Sequence, residues 1–142
     1  MILRSQSVSH RLFILSMLVF SIGCAETQDG PSRYLVKGTV QFQGKPVPVG
    51  SISFEPDSKQ GNPGPGTTAP IRDGKFETPA DRGTIGGPHI LSITGYDGIP
   101  YEVPGEGTDP NGKSLFTNYT TTLDLPREST NIELVVTPKE NK

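Results

Sequence analysis

After residue 24 no window of this chain carries a helical hydrophobic period for three turns; its apolar residues alternate with polar ones in short runs. Period two belongs to a half-buried strand and period 3.6 to a helix, so a folded domain here has to be built from strands. Seventeen glycines and fourteen prolines collect between the runs, where turns need them.

In Tyr34–Phe42, residues Tyr34, Val36, Val40 and Phe42 share one face, and Lys37, Thr39 and Gln41 share the other. Gln43-Gly44-Lys45-Pro46 reads as a turn. Val47 and Val49 flank Pro48, which points to an edge piece. Ser51–Glu55 alternates with Ile52 and Phe54 inward. Asp73-Gly74 predicts a two-residue hairpin loop that sets Arg72 opposite Lys75 and Ile71 opposite Phe76, with the apolar pair on one face. Thr84-Ile85-Gly86-Gly87-Pro88 is another turn. A strand with Leu91 and Ile93 on one face follows from His89 to Tyr96, and further strands are expected over Tyr119–Leu125 and Asn131–Thr137. Pro56–Ala69 reads as a mobile surface loop and Asp97–Lys113 as irregular. Six or seven short strands with turns between them indicate an antiparallel sandwich.

The N-terminal segment has a separate character. Arg4 and Arg11 precede the apolar run Leu12–Gly23, which ends at Cys24, the one cysteine of the chain. About twelve residues are too few to cross a bilayer core, which needs roughly twenty, but they suit the apolar region of an export signal. The junction resembles a bacterial lipobox, with Gly23 as the small residue before the cysteine; Ser21 stands where leucine is usual, and Ile22 follows. The expected division is a signal over 1–23, a polar tether over 24–33, a β-sandwich over 34–138 and a tail over 139–142. The expected address is the cell envelope, on a bacterial membrane held through a lipid on Cys24. The thirteen Lys and Arg include Arg4 and Arg11, while all fifteen acids lie beyond residue 23, so the exported part is net −4. It has no basic run, which argues against nucleic acid as a partner.

The pattern Val36-Lys37-Gly38-Thr39-Val40, Gly44-Lys45-Pro46-Val47 and Gly50-Ser51-Ile52-Ser53-Phe54-Glu55-Pro56 resembles the opening of carboxypeptidase regulatory-like domains, more narrowly the small lipoproteins of that type in planctomycete-like bacteria. Gly74-Lys75-Phe76, Gly86-Gly87-Pro88-His89 and Tyr119–Leu125 fit more loosely. The resemblance implies an all-β, seven-stranded antiparallel sandwich of the transthyretin (prealbumin) kind. It implies little about activity, since fold does not fix function.

No catalytic constellation stands out. His10 falls in the signal, which leaves His89 as the exported part's histidine, and one histidine without thiols cannot build the usual zinc site. Some transthyretin-like proteins hydrolyse hydroxyisourate, but they need several histidines and a Tyr-Arg-Gly-Ser type ending, which this chain lacks. Glu102, Glu106, Asp109 and Asn111 offer oxygen ligands in one loop, but their spacing is not that of an EF-hand and Asp109-Pro110-Asn111-Gly112 reads as a turn. With no tryptophan, stacking on a sugar falls to Tyr96, Tyr101, Phe116 and Tyr119. The expectation is a non-catalytic structural or protein-interaction module without a cofactor; the alternative is a binder of an envelope carbohydrate or peptide. Tyr96, Tyr101, Glu102 and Asp109 are the candidate ligand contacts.

Overall fold

The computed structural model describes residues 30–116 and 118–137. The expected signal over 1–23, Cys24 with most of the expected tether, and the expected tail over 139–142 lie outside the described residues. Ten strands account for most of the rest: β1 (Val36–Phe42), β2 (Lys45–Pro46), β3 (Val49–Pro56), β4 (Thr67–Arg72), β5 (Lys75–Glu77), β6 (Gly87–Tyr96), β7 (Tyr101–Val103), β8 (Gly107–Asp109), β9 (Tyr119–Leu125) and β10 (Thr130–Val136). Seven of them form one hydrogen-bonded path in the order β10-β1-β5-β4-β3-β6-β9; β2 adds to β1, and β7 pairs with β8. The path curls on itself into an all-β sandwich, so one face becomes the interior.

Alternation decides which side chains go inside. Val36 and Val40 of β1, Ile52 and Phe54 of β3, Ala69 and Ile71 of β4, Phe76 of β5, and Leu91 and Ile93 of β6 are buried in one cluster with Val47, Leu125 and Val136. Burying a large aliphatic or aromatic side chain contributes about 1.5–3 kcal/mol. The Phe54 and Phe76 rings lie 5.8 Å apart and tilted, bridging β3 and β5 across β4. Gly38 lets β1 approach this layer, because a Cβ there would strike the Phe76 ring and the Ile132 carbonyl.

The Asp73-Gly74 hairpin forms in the expected register, Ile71 with Phe76 and Arg72 with Lys75. Both turn residues have positive φ, 49° and 74°, the pair a two-residue loop of this hand requires. Gln43 and Gly44, at 51° and 74°, build the same kind of turn between β1 and β2.

Four expectations need correction. The strand pairs are antiparallel except for one: β1 runs parallel to β10, from Val36 beside Thr130 to Phe42 beside Val136. Val49 does not sit at an edge; it opens β3, which lies between β4 and β6. Pro48 falls just before the strand, where its missing N–H is harmless and its carbonyl accepts from Asp73 N. Thr67–Ala69 is strand, paired with Phe54, Ser53 and Ile52, so the loop after β3 is shorter than expected. Finally, Asp97–Lys113 is not irregular throughout: it contains the β7–β8 hairpin, and its base is tied by Asp97 N to the Lys113 carbonyl and Gly98 N to the Asn111 carbonyl.

Two buried threonines make a matched test. Thr78 continues the β5 line: its N–H donates to the Val36 carbonyl and its Oγ1 accepts from Val36 N at 3.1 Å. Thr84 Oγ1 is buried without a hydrogen-bond partner among the described residues. Thr78→Val should lower unfolding free energy by about 1–3 kcal/mol, because it orphans a buried N–H, whereas Thr84→Val should be neutral or stabilising. Chemical denaturation of the two variants against the parent checks the difference in sign.

Candidate functional site

The expected contact residues gather around the β7–β8 hairpin, where Glu102 and Asp109 each give one carboxylate oxygen to a hydrogen bond within the loop. Tyr101 stands opposite Asp109, and Glu102 opposite Thr108. Thr108 Oγ1 donates to Glu102 Oε1, and Asp109 Oδ1 accepts from Asn111 N at 2.9 Å. The half-buried Tyr101 ring has Lys113 Nζ 5.8 Å from its centre. Tyr96 ends β6, bridges to Ser114 and is half-buried. Phe116 packs against Phe42 at 5.1 Å, with Gly95 leaving room for it, and Tyr119 lies against the core. Among the described residues no group of three or more His, Cys, Asp or Glu side chains is placed to hold a metal ion.

His89 belongs to the interior. It follows the inward period of Leu91 and Ile93, is 1% exposed, and its Nδ1–H donates to the Gly87 carbonyl at 2.8 Å. The Gly-Gly-Pro turn ahead of it thus supplies its hydrogen-bond partner.

Open concave surface among the described residues lies along the outer face of β4. Inward Ala69 and Ile71 alternate there with exposed Thr68, Pro70 and Arg72. A cleft of about 560 Å³ adjoins the Thr68 end and another of about 510 Å³ adjoins the Arg72 end, both within the size range of small-ligand sites.

The first cleft is hydroxyl-rich. Ser53, Ser58, Thr67 and Thr68 line it together with Glu55 and Arg82, and Ser53 and Thr68 share a hydrogen bond of 3.2 Å. Its wall is the loop after β3, which is well tied down. Asp57, 8% exposed, accepts from Lys59 N and from Gln60 Nε2, so that the chain turns through Ser58–Gln60. Asn62 Nδ2 then donates to the Gly86 carbonyl at 2.9 Å and to the Pro88 carbonyl at 2.8 Å.

The second cleft crosses four strands. Lys37 and Thr39 of β1, Pro70 and Arg72 of β4, Lys75 and Glu77 of β5 and Asn131 of β10 surround it. Lys37 is paired with Glu77 at 3.3 Å. Arg72 and Lys75 stand directly opposite each other, and neither makes an ion pair among the described residues. None of Tyr96, Tyr101, Glu102 and Asp109 lines either cleft. One signal for the second cleft was already present in the hairpin register, which sets two like charges face to face. The hydroxyl-rich cleft had no such signal, because it depends on the loop after β3 folding back over Thr68.

Asn62→Ala should cost about 1–3 kcal/mol, since the Gly86 carbonyl loses the side-chain donor and the Pro88 carbonyl keeps only Asp57 N. The amides of Lys59 and Asn62, which donate to Asp57, should then exchange faster with solvent deuterium while those of β6 stay protected. Hydrogen exchange read by mass spectrometry resolves the two regions. Searches against family models, curated proteins and solved structures return no match for this chain, so its functional reading rests on the features above.

Proposed function

We propose that this chain is a non-catalytic module of a bacterial cell envelope, held to a membrane by a lipid on Cys24 and acting by binding rather than by chemistry. One observation carries the reading: the lone cysteine follows directly on the apolar run Leu12–Gly23 and precedes a short polar stretch and a β-sandwich. An apolar run of that length, closed by a small residue and a cysteine, is what an exporting and lipid-attaching pathway handles. The likeness of Val36–Pro56 to carboxypeptidase regulatory-like lipoproteins supports the same proposal, as does a strand-built domain. His89 acting as a general base would need its imidazole open to a cleft, and His89 is instead 1% exposed, inside the core. The two clefts along β4 favour ligand binding over a purely structural role.

In bacterial cells, the wild-type chain should fractionate with membranes and carry the added mass of a diacylglyceryl group on Cys24. Cys24→Ser should move it to the soluble exported fraction. Intact-mass measurement on the membrane-extracted protein decides the matter: an unmodified Cys24 there overturns the anchor.

A further inference from the structure

We infer that the Arg72–Lys75 cleft is a seat for the carboxylate of an acidic polysaccharide. The inference deepens the binding reading above, and rests on it only in treating the outer face of β4 as binding surface; it does not require the lipid.

The first support is electrostatic. Like charges directly opposite in an antiparallel pair destabilise a sheet, and Arg72 and Lys75 hold that relation next to a turn. Of the two acids nearby, Asp73 in the turn and Glu77 in the cleft lining, neither makes an ion pair with Arg72 or Lys75, and Glu77 is engaged by Lys37, which offsets its charge within the cleft. A carboxylate placed between them relieves the repulsion and gains charge-assisted hydrogen bonds, two of them from the planar guanidinium. The chain as a whole is net −2, so this cationic pair stands out against its own background.

The second support is the lining. Pro70 and the aliphatic stems of Lys37, Arg72 and Lys75 make an apolar floor on which a pyranose face can lie. Thr39 and Asn131 provide neutral donors and acceptors at its margin for ring hydroxyls. No exposed aromatic ring lines the cleft, since Phe76 is 4% exposed, so stacking cannot supply the affinity and charge has to. That selects an acidic sugar over a neutral one. The large exposed hydrophobics among the described residues, Ile99 and Val135, lie outside both clefts, so neither cleft holds an exposed apolar anchor of the kind that dominates protein–protein contacts.

The third support is continuity. From Arg72 the exposed row of β4 runs through Pro70 to Thr68, roughly 13 Å away at about 3.3 Å per residue, and ends in the hydroxyl-rich cleft of Ser53 and Thr67. A polymer bound by its carboxylate at Arg72 therefore meets hydroxyl partners farther along the strand, and an oligomer should outbind its monomer.

The test uses the full chain in neutral detergent and isothermal titration with a galacturonate oligomer. The controls are galacturonic acid, the methyl-esterified oligomer and polyglutamate. The oligomer should bind; loss of the carboxylate charge by esterification should weaken binding about tenfold or more, as should Arg72→Gln with Lys75→Gln. Affinity should also fall as salt rises. Lys113→Gln, on the other loop, should bind as the parent does. The double variant should melt at or above the parent temperature, since it removes a repulsion; Lys75→Gln alone gives the same reading if the double variant fails to fold. Absence of oligomer binding, or binding indifferent to Arg72 and Lys75, overturns the inference. Polyglutamate binding as tightly and through the same two residues also overturns it, making the occupant an acidic peptide. Each of these outcomes is independent of the mass found on Cys24, so the anchor and the seat stand or fall separately.

Discussion

The two-residue turn at Asp73 and Gly74 holds the sandwich together. It joins β4 to β5, and this pair is the link in the seven-strand path between β10-β1-β5 on one side and β4-β3-β6-β9 on the other. The turn is also plugged into its surroundings. Asp73 N donates to the Pro48 carbonyl, Gly74 N to the Val47 carbonyl, and the Gly74 carbonyl accepts from Val40 N. A Cβ on Gly74 would run into Pro46, so glycine serves both the positive φ and the close approach.

That register sorts four side chains at once. Ile71 and Phe76 go into the core, where Phe76 meets Phe54, and Arg72 and Lys75 go to the outer surface. Because side chains alternate strictly along a strand, the charged pair cannot be avoided by local rearrangement: a slip of one residue would send the charges inward and the apolar pair out. The core therefore fixes where the two cations stand, and only their neighbours decide what they do.

Period-two runs were enough to place the inner faces of β1, β3 and β6 and to find β9 and β10, because half-burial writes itself into each strand separately. Asp-Gly was enough to place a turn and its register, because the requirement for two positive φ angles is local. The errors fall where structure depends on a distant partner. Thr67–Ala69 lies in a Gly- and Pro-rich stretch and is strand only because β3 is there to pair with it. The loop after β3 is ordered by Asn62 reaching Gly86 and Pro88, residues more than twenty positions on. The parallel match of β1 with β10 carries no local signal. The same division holds for the surface: the opposition of Arg72 and Lys75 was readable, but the cleft around them needs Lys37 and Asn131 from strands at the two ends of the chain. The aromatic and acidic residues of the 97–113 loop looked available in sequence; in the fold, several are committed to their own hairpin.

The pairing of β1 with β10 governs the order in which such a chain can mature. Leu35 N and Ser129 Oγ, 94 residues apart, are hydrogen-bonded at the start of that pair. On a ribosome or emerging from a translocation pore, β1 is made some 94 residues before its partner. Until then one edge of β1 is a row of bare amides and carbonyls, open to any other extended chain nearby. Closing so long a loop comes late and slowly, as it does for other folds dominated by distant contacts. This domain's period of greatest exposure to misassociation is thus the interval before residues 130–136 arrive.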